Sequence, residues 1–335
     1  MSQLMRVLFG FCLLMGLGLT ASAGTVTVCV YDPGGKSGDY YRLMQNFGIE
    51  ASKWGVEVQL RAYTDEETAA KDYDAGQCDG VVATGVRLQR FNRFPSTIEA
   101  IGALPEYAYL KQLVNSLATS DHAAKRLQSG NHETVGIVPV GAVYLFVADR
   151  SLDSVGALAG KRIATMDYDK ASLVMVDRVG AIVVPVDLGS VGPKFNNGDV
   201  DACYVSAPAY QPFELWKGLE SNGGVLRLPL AQATLQVMLH RDRFPDGFGS
   251  KARKYFAQQF DSSLRLVKKA EADIPAKYWI AVPDSEMAGF EELFLATRLK
   301  LRDEEQAYDR YMLSALRNIR CANDPSRSEC VEKKE

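Results

Sequence analysis

Residues 160–208, GKRIATMDYDKASLVMVDRVGAIVVPVDLGSVGPKFNNGDVDACYVSAP, narrow the choice of architecture more than any other stretch. Short apolar runs suited to strands, at Lys161–Thr165, Ile182–Val186 and Asp201–Val205, alternate with segments suited to helices. That alternation predicts parallel strands joined by helical crossovers. A helix over Ala171–Val179 follows a polar loop at Met166–Lys170. Ile182–Val186 is a β-branched run of the kind expected in a buried parallel strand. Gly198 stands where a helix would close with a left-handed cap. Open α/β sheets hold ligands at the carboxyl ends of their strands, which draws attention to Met166–Lys170 and to the residues from Ser206 to Tyr210.

An earlier stretch repeats the spacing. Tyr73-Asp-Ala-Gly76-Gln-Cys-Asp79 and Phe195-Asn-Asn-Gly198-Asp-Val-Asp201 each place an aromatic residue, two residues, glycine, two residues, aspartate and then a strand. In each, the aromatic ring is expected to pack the last helical turn on the sheet, glycine to end the helix and aspartate to open the strand. A generic helix-to-strand turn could share part of this pattern. The matched spacing points to two related α/β lobes.

Before the first strand, Arg6 precedes an apolar core at Val7–Thr20 and the small-residue site Ala21-Ser22-Ala23. This is the pattern of a cleavable secretory signal over residues 1–23, with an uncleaved anchor as the alternative. It predicts a periplasmic protein starting at Gly24. No later run approaches the roughly 20 apolar residues that a spanning helix needs. A net charge of −3 gives no basic field for nucleic acid or membrane. Export permits oxidised cysteines. Cys321 and Cys330 flank a short polar loop and are expected to pair; Cys29 and Cys78, in one lobe, are candidates for a second bridge, leaving Cys203 free. No Cys/His set has metal-ligand spacing, and nothing calls for a cofactor.

Taken in order, Thr25–Tyr31 reads as a strand, and the glycine-rich loop after it leads to Asp39, expected to cap a helix. The loop fits neither nucleotide-binding glycine pattern. Val56–Ala62 and Gly80–Thr84 read as strands, with a capping box at Thr64–Glu67 between them. Arg87, Arg90 and Arg93 follow the third strand among aromatics, and Arg87 is the one placed to fork onto an anionic ligand. Val135–Pro139 and Val143–Ala148 read as strands and Pro208–Leu219 as helical. A strand at Thr234–His240 and a helix at Lys251–Ala270 come next. Ser285–Arg320 reads as one helix, roughly 50 Å long, able to back both lobes as a spine. The expected division is lobe 1 over 24–148 with parts of 241–284, lobe 2 over 149–240, the long helix over 285–320, and a stapled tail over 321–335.

With these features the chain resembles the extracytoplasmic solute receptors of TRAP-type (tripartite ATP-independent periplasmic) transporters. The local match is Leu158-Ala-Gly160-Lys-Arg-Ile163 together with Phe195–Asp201. A divergent branch of these solute-binding proteins is closer still, through Cys29–Asp39, Gly76–Gly80, Lys194–Asp201, Tyr278–Ile280 and the cysteine pair Cys321 and Cys330. The resemblance implies a two-lobed, type II-like periplasmic-binding-protein fold that closes on a small solute and delivers it, as a monomer, to integral membrane transporter subunits. Carboxylate-binding TRAP receptors carry an arginine where Ala164 stands here, so the usual carboxylate clamp is missing, with Lys170 or Arg87 as candidate replacements. Acidic Asp32, Asp39, Asp167 and Asp169 could instead suit an amine or a polyol, or simply serve as caps and turns.

The candidate solute contacts are therefore Tyr31, Asp32, Asp39, Thr84, Arg87, Met166, Asp167, Lys170, Ser206 and Tyr210, with Tyr144 and Trp279 as aromatic walls. Each aromatic could equally be core. Two other functions compete: a periplasmic sensing or efflux-associated accessory of the same fold, and a secreted hydrolase. Against the hydrolase, the sequence has no G-x-S-x-G elbow and only three histidines, in settings that suggest no catalytic triad.

Overall fold

Alternating Val and Thr residues start the sheet at β1 (Gly24–Tyr31), and the computed structural model describes the chain from there, residues 24–335. The expected signal sequence lies outside the described residues. After β1 come α1 (Asp39–Ser52), β2 (Val56–Tyr63), α2 (Glu66–Asp74), β3 (Gly80–Thr84), the short α3 (Gly85–Leu88) and α4 (Arg93–Ser96), α5 (Tyr107–Thr119), α6 (Asp121–Arg126), β4 (Gln128–Ser129) and the long β5 (His132–Val147). The second half continues with β6 (Arg162–Met166), α7 (Lys170–Arg178), β7 (Ile182–Val186), α8 (Val191–Asn196), β8 (Ala202–Ser206), α9 (Trp216–Leu219), β9 (Gly224–Leu226) and β10 (Ala231–His240). The chain then runs through α10 (Phe248–Ala272), β11 (Trp279–Ile280), α11 (Asp284–Asp303), α12 (Arg310–Asn323) and α13 (Ser328–Glu332).

The strands form one mixed sheet with the order β2-β1-β3-β10-β5-β8-β6-β7 along its main path. Its two ends mirror each other. β1 pairs in parallel with β2 and β3, and β6 pairs in parallel with β7 and β8. The repeated spacing is repeated geometry. Tyr73 and Phe195 are buried under their helices, and Gly76 and Gly198 take φ of 72° and 74°. Asp79 Oδ2 accepts the Thr27 N–H at 2.8 Å, and Asp201 Oδ2 accepts the Arg162 N–H at 2.8 Å. In both halves the aspartate locks the start of the third strand to the start of the first.

Between the halves run β5 and β10, antiparallel to each other. The two expected strands at 135–139 and 143–148 are one strand, β5, whose first part pairs with β10 and whose last part pairs with β8. Its register against β10 shifts next to Gly141, which has φ of 131°; a β-carbon there would sit 2.9 Å from Val267. Thr234–His240, expected in the second lobe, belongs to β10, which pairs with β3 of the first half.

Other expectations also change. The helix at 285–320 is two helices, α11 and α12, separated by a turn in which Gln306 has φ of 50°. α11 packs Phe290, Leu293 and Phe294 against the second half; α12 packs Met312, Leu313 and Leu316 against α5. The element that runs the length of β5 is instead α10: Arg253 pairs with Glu133, Phe256 lies over Gly136, and Glu271 accepts from Tyr144 Oη at 3.0 Å. Ile182–Val186 is an edge strand with Ile182 half exposed, which also explains how Pro185 is tolerated without a ladder hydrogen bond. The stretch 208–219 is helical only at α9 and a single turn at Ala207–Ala209. Cys29–Cys78 and Cys321–Cys330 are disulfides, and Cys203 is a buried free thiol.

Candidate ligand-binding cleft

β1 ends at the cleft, and Asp32, just beyond it, is buried. Its carboxylate accepts N–H groups of Gly34 at 2.8 Å, Tyr40 at 2.9 Å and Tyr41 at 3.0 Å. Asp32, rather than Asp39, therefore satisfies the free amides opening α1. Asp39 is the first helical residue and pairs with Arg42 in solvent. Gly38 makes the arrangement possible, since a β-carbon there would lie 1.8 Å from Asp32 Oδ1. Similarly, α2 is capped by Asp65, which accepts the Thr68 N–H, and not by Thr64. This places Glu66 in the first helical turn and buries it at the end of β3, where Thr84 Oγ1 donates to Glu66 Oε2 at 2.8 Å.

Glu99 supplies a third buried carboxylate. It accepts the N–H groups of Gly85 and Val86, and both the N–H and hydroxyl of Thr234, at 2.6 to 3.1 Å. It thus ties the start of α3 to β10. Burial nonetheless outweighs these donors and pushes its carboxyl up to about 7. In the second half, Asp169 caps α7 through Ala171 and Ser172, and burial raises its carboxyl too.

The facing strand ends enclose a cavity of about 740 Å³. Tyr31, Thr84 and Glu99 line it from the first half, Met166, Tyr204 and Ser206 from the second; Val140 and Leu235 of the crossing strands, with Ile101 and Tyr308, complete it. One side chain closes the mouth. Tyr168, on the loop after β6, donates its hydroxyl to Glu66 Oε1 at 2.7 Å, and the Arg87 guanidinium lies 3.5 Å from the centre of its ring. Arg87 Nε also stands 3.5 Å from Glu66 Oε1. Burial and the Glu66 charge both raise the Tyr168 phenol, which keeps it a neutral donor.

Six of the twelve expected contacts line this cavity: Tyr31, Asp32, Asp39, Thr84, Met166 and Ser206. Arg87 and Lys170 line an adjoining outer groove of about 910 Å³ instead. There Lys170 pairs with Glu305 at 2.7 Å. Neither cation is among the residues that line the cavity; the Arg87 guanidinium sits between the Tyr168 ring and Glu66. Asp167 is exposed and lines neither space. Tyr144, Tyr210 and Trp279 pack away from the cavity: Tyr144 against Trp279 with ring centres 4.9 Å apart, and Tyr210 stacked on Phe146. Ala164 is buried within β6, and Arg162 is bonded to Asp201 at the opposite end of that strand, so neither brings a cation to the cavity. Glu66, Glu99, Tyr168 and Tyr308 also line the cavity. Of these, Tyr168 is the one that lies within a strand-end loop the sequence points to, Met166–Lys170. Among the described residues, no group of three or more His, Cys, Asp or Glu is arranged to hold a metal ion.

A family model described as solute-binding protein AdeT 1/2 matches residues 42–335. The chain belongs to the AdeT 1/2 family of solute-binding proteins. Within that family it is 38% identical over 304 residues to the Acinetobacter baumannii protein named "Probable solute-binding protein AdeT1", covering 90% of this chain and 99% of that one. It is 28% identical over 235 residues to "Probable solute-binding protein AdeT2" of the same organism, covering 69% of this chain and 96% of that one. Solved structures share the fold at much lower identity. A TRAP periplasmic solute-binding protein of Rhodoferax ferrireducens with bound malonate superposes with a TM-score of 0.70 at 16% identity, over 90% of this chain and all (100%) of that one. One from Ralstonia eutropha with bound (S)-2-acetolactate gives 0.70 at 11% identity, over 88% and 99%. This AdeT-family chain therefore has the two-lobed α/β fold of TRAP periplasmic solute-binding proteins, with its largely apolar cavity between the lobes.

Proposed function

We propose that this AdeT-family protein is an extracytoplasmic solute receptor. It takes up one small molecule in the cavity of about 740 Å³, closes by rotation about β5 and β10, and presents the closed form to integral membrane transporter subunits. The observation that carries the reading is the bridged mouth: Tyr168 of the second half rests on Glu66 and Arg87 of the first, directly over the cavity. A pocket assembled from two halves gives its solute a way in when they part, and hinged closure supplies that movement. The secretory pattern before Gly24 supports a periplasmic location.

The solute belongs to a different class from the malonate and acetolactate of the structural neighbours. A carboxylate entering a buried site needs a cation or several free donors. Among the described residues that line the cavity, the cations are Arg42 and Lys269, both exposed at the rim, and Arg42 is paired with Asp39. The inner surface is aromatic and aliphatic, and its carboxylates are already held by donors. A neutral, partly apolar or aromatic molecule fits this lining. A thermal-shift screen tests the class, because a ligand bound only by the folded state at 100 times its Kd adds about 2.7 kcal/mol of stability. Neutral aromatic and hydroxylated compounds are expected to raise Tm, and malonate to leave it unchanged. A rise with malonate and none with neutral compounds would reverse the assignment.

A further inference from the structure

Among the described residues, the two largest fully buried side chains are arginines, Arg298 on α11 and Arg320 on α12. A buried guanidinium is costly unless it is paired and its donors are satisfied. Both arginines split their donors between the same two tasks. Each gives one nitrogen to the backbone of a single loop: Arg298 to the Ile101 carbonyl at 2.8 Å, and Arg320 to the Ala103 carbonyl at 2.8 Å. Their remaining nitrogens go to carboxylates of the tail. Glu335 pairs with both, and Glu329 accepts from Arg320 Nε at 3.0 Å. Arg317 and Arg302 donate to the backbone carbonyls of Glu335 and Lys334. The Cys321–Cys330 disulfide tethers this segment to the end of α12.

The loop held in this way is cleft wall. Ile101 lines the solute cavity, and its N–H donates to Tyr308 Oη at 3.2 Å, itself a lining residue. Gly102 between the two held carbonyls has φ of 62° and donates to the Leu230 carbonyl at 2.7 Å. A β-carbon at Gly102 would meet Phe294 at 2.4 Å, so the loop has no room to shift toward α11.

We propose that residues 328–335 act as a tethered acidic ligand of a two-arginine pocket, and that Arg298 and Arg320 are positioning residues for the cleft wall at Ile101–Ala103. With Glu329 and Glu335 seated, the arginines are neutralised and can point at the two carbonyls. With the carboxylates gone, two like charges face each other in the interior and must turn toward water, releasing the loop. The pocket is a carboxylate site, and it would accept an external carboxylate in place of Glu335. The link to solute binding rests on the receptor reading above; the linkage between tail and wall does not.

Hydrogen exchange on the full chain without any solute tests the linkage. In Glu335→Ala, the amides of Ile101, Gly102 and Ala103 should exchange on the order of a hundredfold faster, the factor a broken buried ion pair implies, while β1 and β6 keep their protection. Sodium propionate should restore protection where sodium chloride at equal ionic strength does not. Unchanged exchange at 101–103, an equal loss throughout the sheet, or no difference between propionate and chloride would each overturn the proposal. If Glu335→Ala does not accumulate folded, the double serine variant of Cys321 and Cys330 takes its place. Cutting the tether lowers the effective concentration of the tail, so faster exchange confined to 101–103 supports the proposal and unchanged exchange overturns it. Because no solute is present, failure here would leave the receptor reading standing, and failure of the solute screen would leave this linkage standing.

Discussion

Glu99 is a cleft residue whose carboxyl is held protonated by burial up to about 7. Four donors favour its charged form, but burial prevails and sets its carboxyl at about 7. An acid whose folded pKa is raised holds its proton more tightly when folded than when unfolded. Its contribution to stability is therefore complete below the ordinary 4.5 and is lost as the pH rises through about 7. Tm should fall between pH 5 and pH 8 by an amount worth on the order of a few kcal/mol. Glu99→Gln should flatten that slope, since the amide oxygen can keep three of the four donors and has no charge to bury. Parallel melting curves for the two proteins would remove Glu99 as the source. At this scale the sequence was a partial guide. Asp32 and Thr84 could be placed at the cleft because strand ends are readable from hydrophobic pattern. Asp32 is consumed as a helix cap by amides within nine residues of it, across a loop whose turn the pattern does not reveal. The burial of Glu66 and Glu99 depends on donors brought from farther along the chain: Tyr168 reaches Glu66, and Thr234 reaches Glu99 from β10.

Most element boundaries in the two lobes follow local signals, the stretch 208–219 excepted, and the elements that link the lobes do not. The matched turns ending at Asp79 and Asp201 were readable because glycine at positive φ and a buried aromatic are local requirements. The break between α11 and α12 has no glycine or proline to mark it. Gln306 adopts the left-handed conformation, and Ala307 N–H returns to the Leu301 carbonyl at 2.8 Å. The local hints are Asp303, Glu304 and Glu305 in succession, acids placed against the negative end of a helix dipole, and Asp309, whose carboxylate caps α12 by accepting the Tyr311 and Met312 N–H groups. Tertiary contacts determine the rest: the turn sends Tyr308 into the cavity wall and places the Asp309 N–H on Thr97 Oγ1 at 2.9 Å. A non-glycine residue in this region carries a strain of about 1 kcal/mol. Gln306→Gly should therefore raise stability by up to about 1 kcal/mol in urea unfolding, with part of the gain offset by the greater freedom of glycine in the unfolded chain. A loss of more than that would mean that the Gln306 side chain contributes what the backbone does not show.

At the scale of the whole molecule, two similar halves are joined by the strands β5 and β10, by the helices packed along them and by a contact across the mouth. The strands β5 and β10 carry no crosslink between the halves; each disulfide staples elements within its own part of the fold. In the hinged closure proposed above, contacts across the mouth add to what opposes relative rotation. The Tyr168 hydroxyl on Glu66 is a charge-assisted hydrogen bond, and the Arg87 guanidinium over the ring adds a cation–π contact. Lys170 on Glu305 ties the same loop to the turn between α11 and α12, but in solvent, where such a pair is worth little. A hydrogen bond to a charged group contributes about 1.5 to 3 kcal/mol, enough to shift an open–closed equilibrium by roughly tenfold or more. Tyr168→Phe keeps the ring under Arg87 and removes only the donor. The solute-free variant should scatter X-rays with a larger radius of gyration than the parent, because its population moves toward the open form. Its affinity for any compound found by the thermal screen should fall in proportion to the lost closed fraction, since closure and binding are linked through one equilibrium. An unchanged radius with an unchanged affinity would show that the mouth is held by shape alone. An unchanged radius with a lost affinity would make Tyr168 a direct contact of the solute and not a latch.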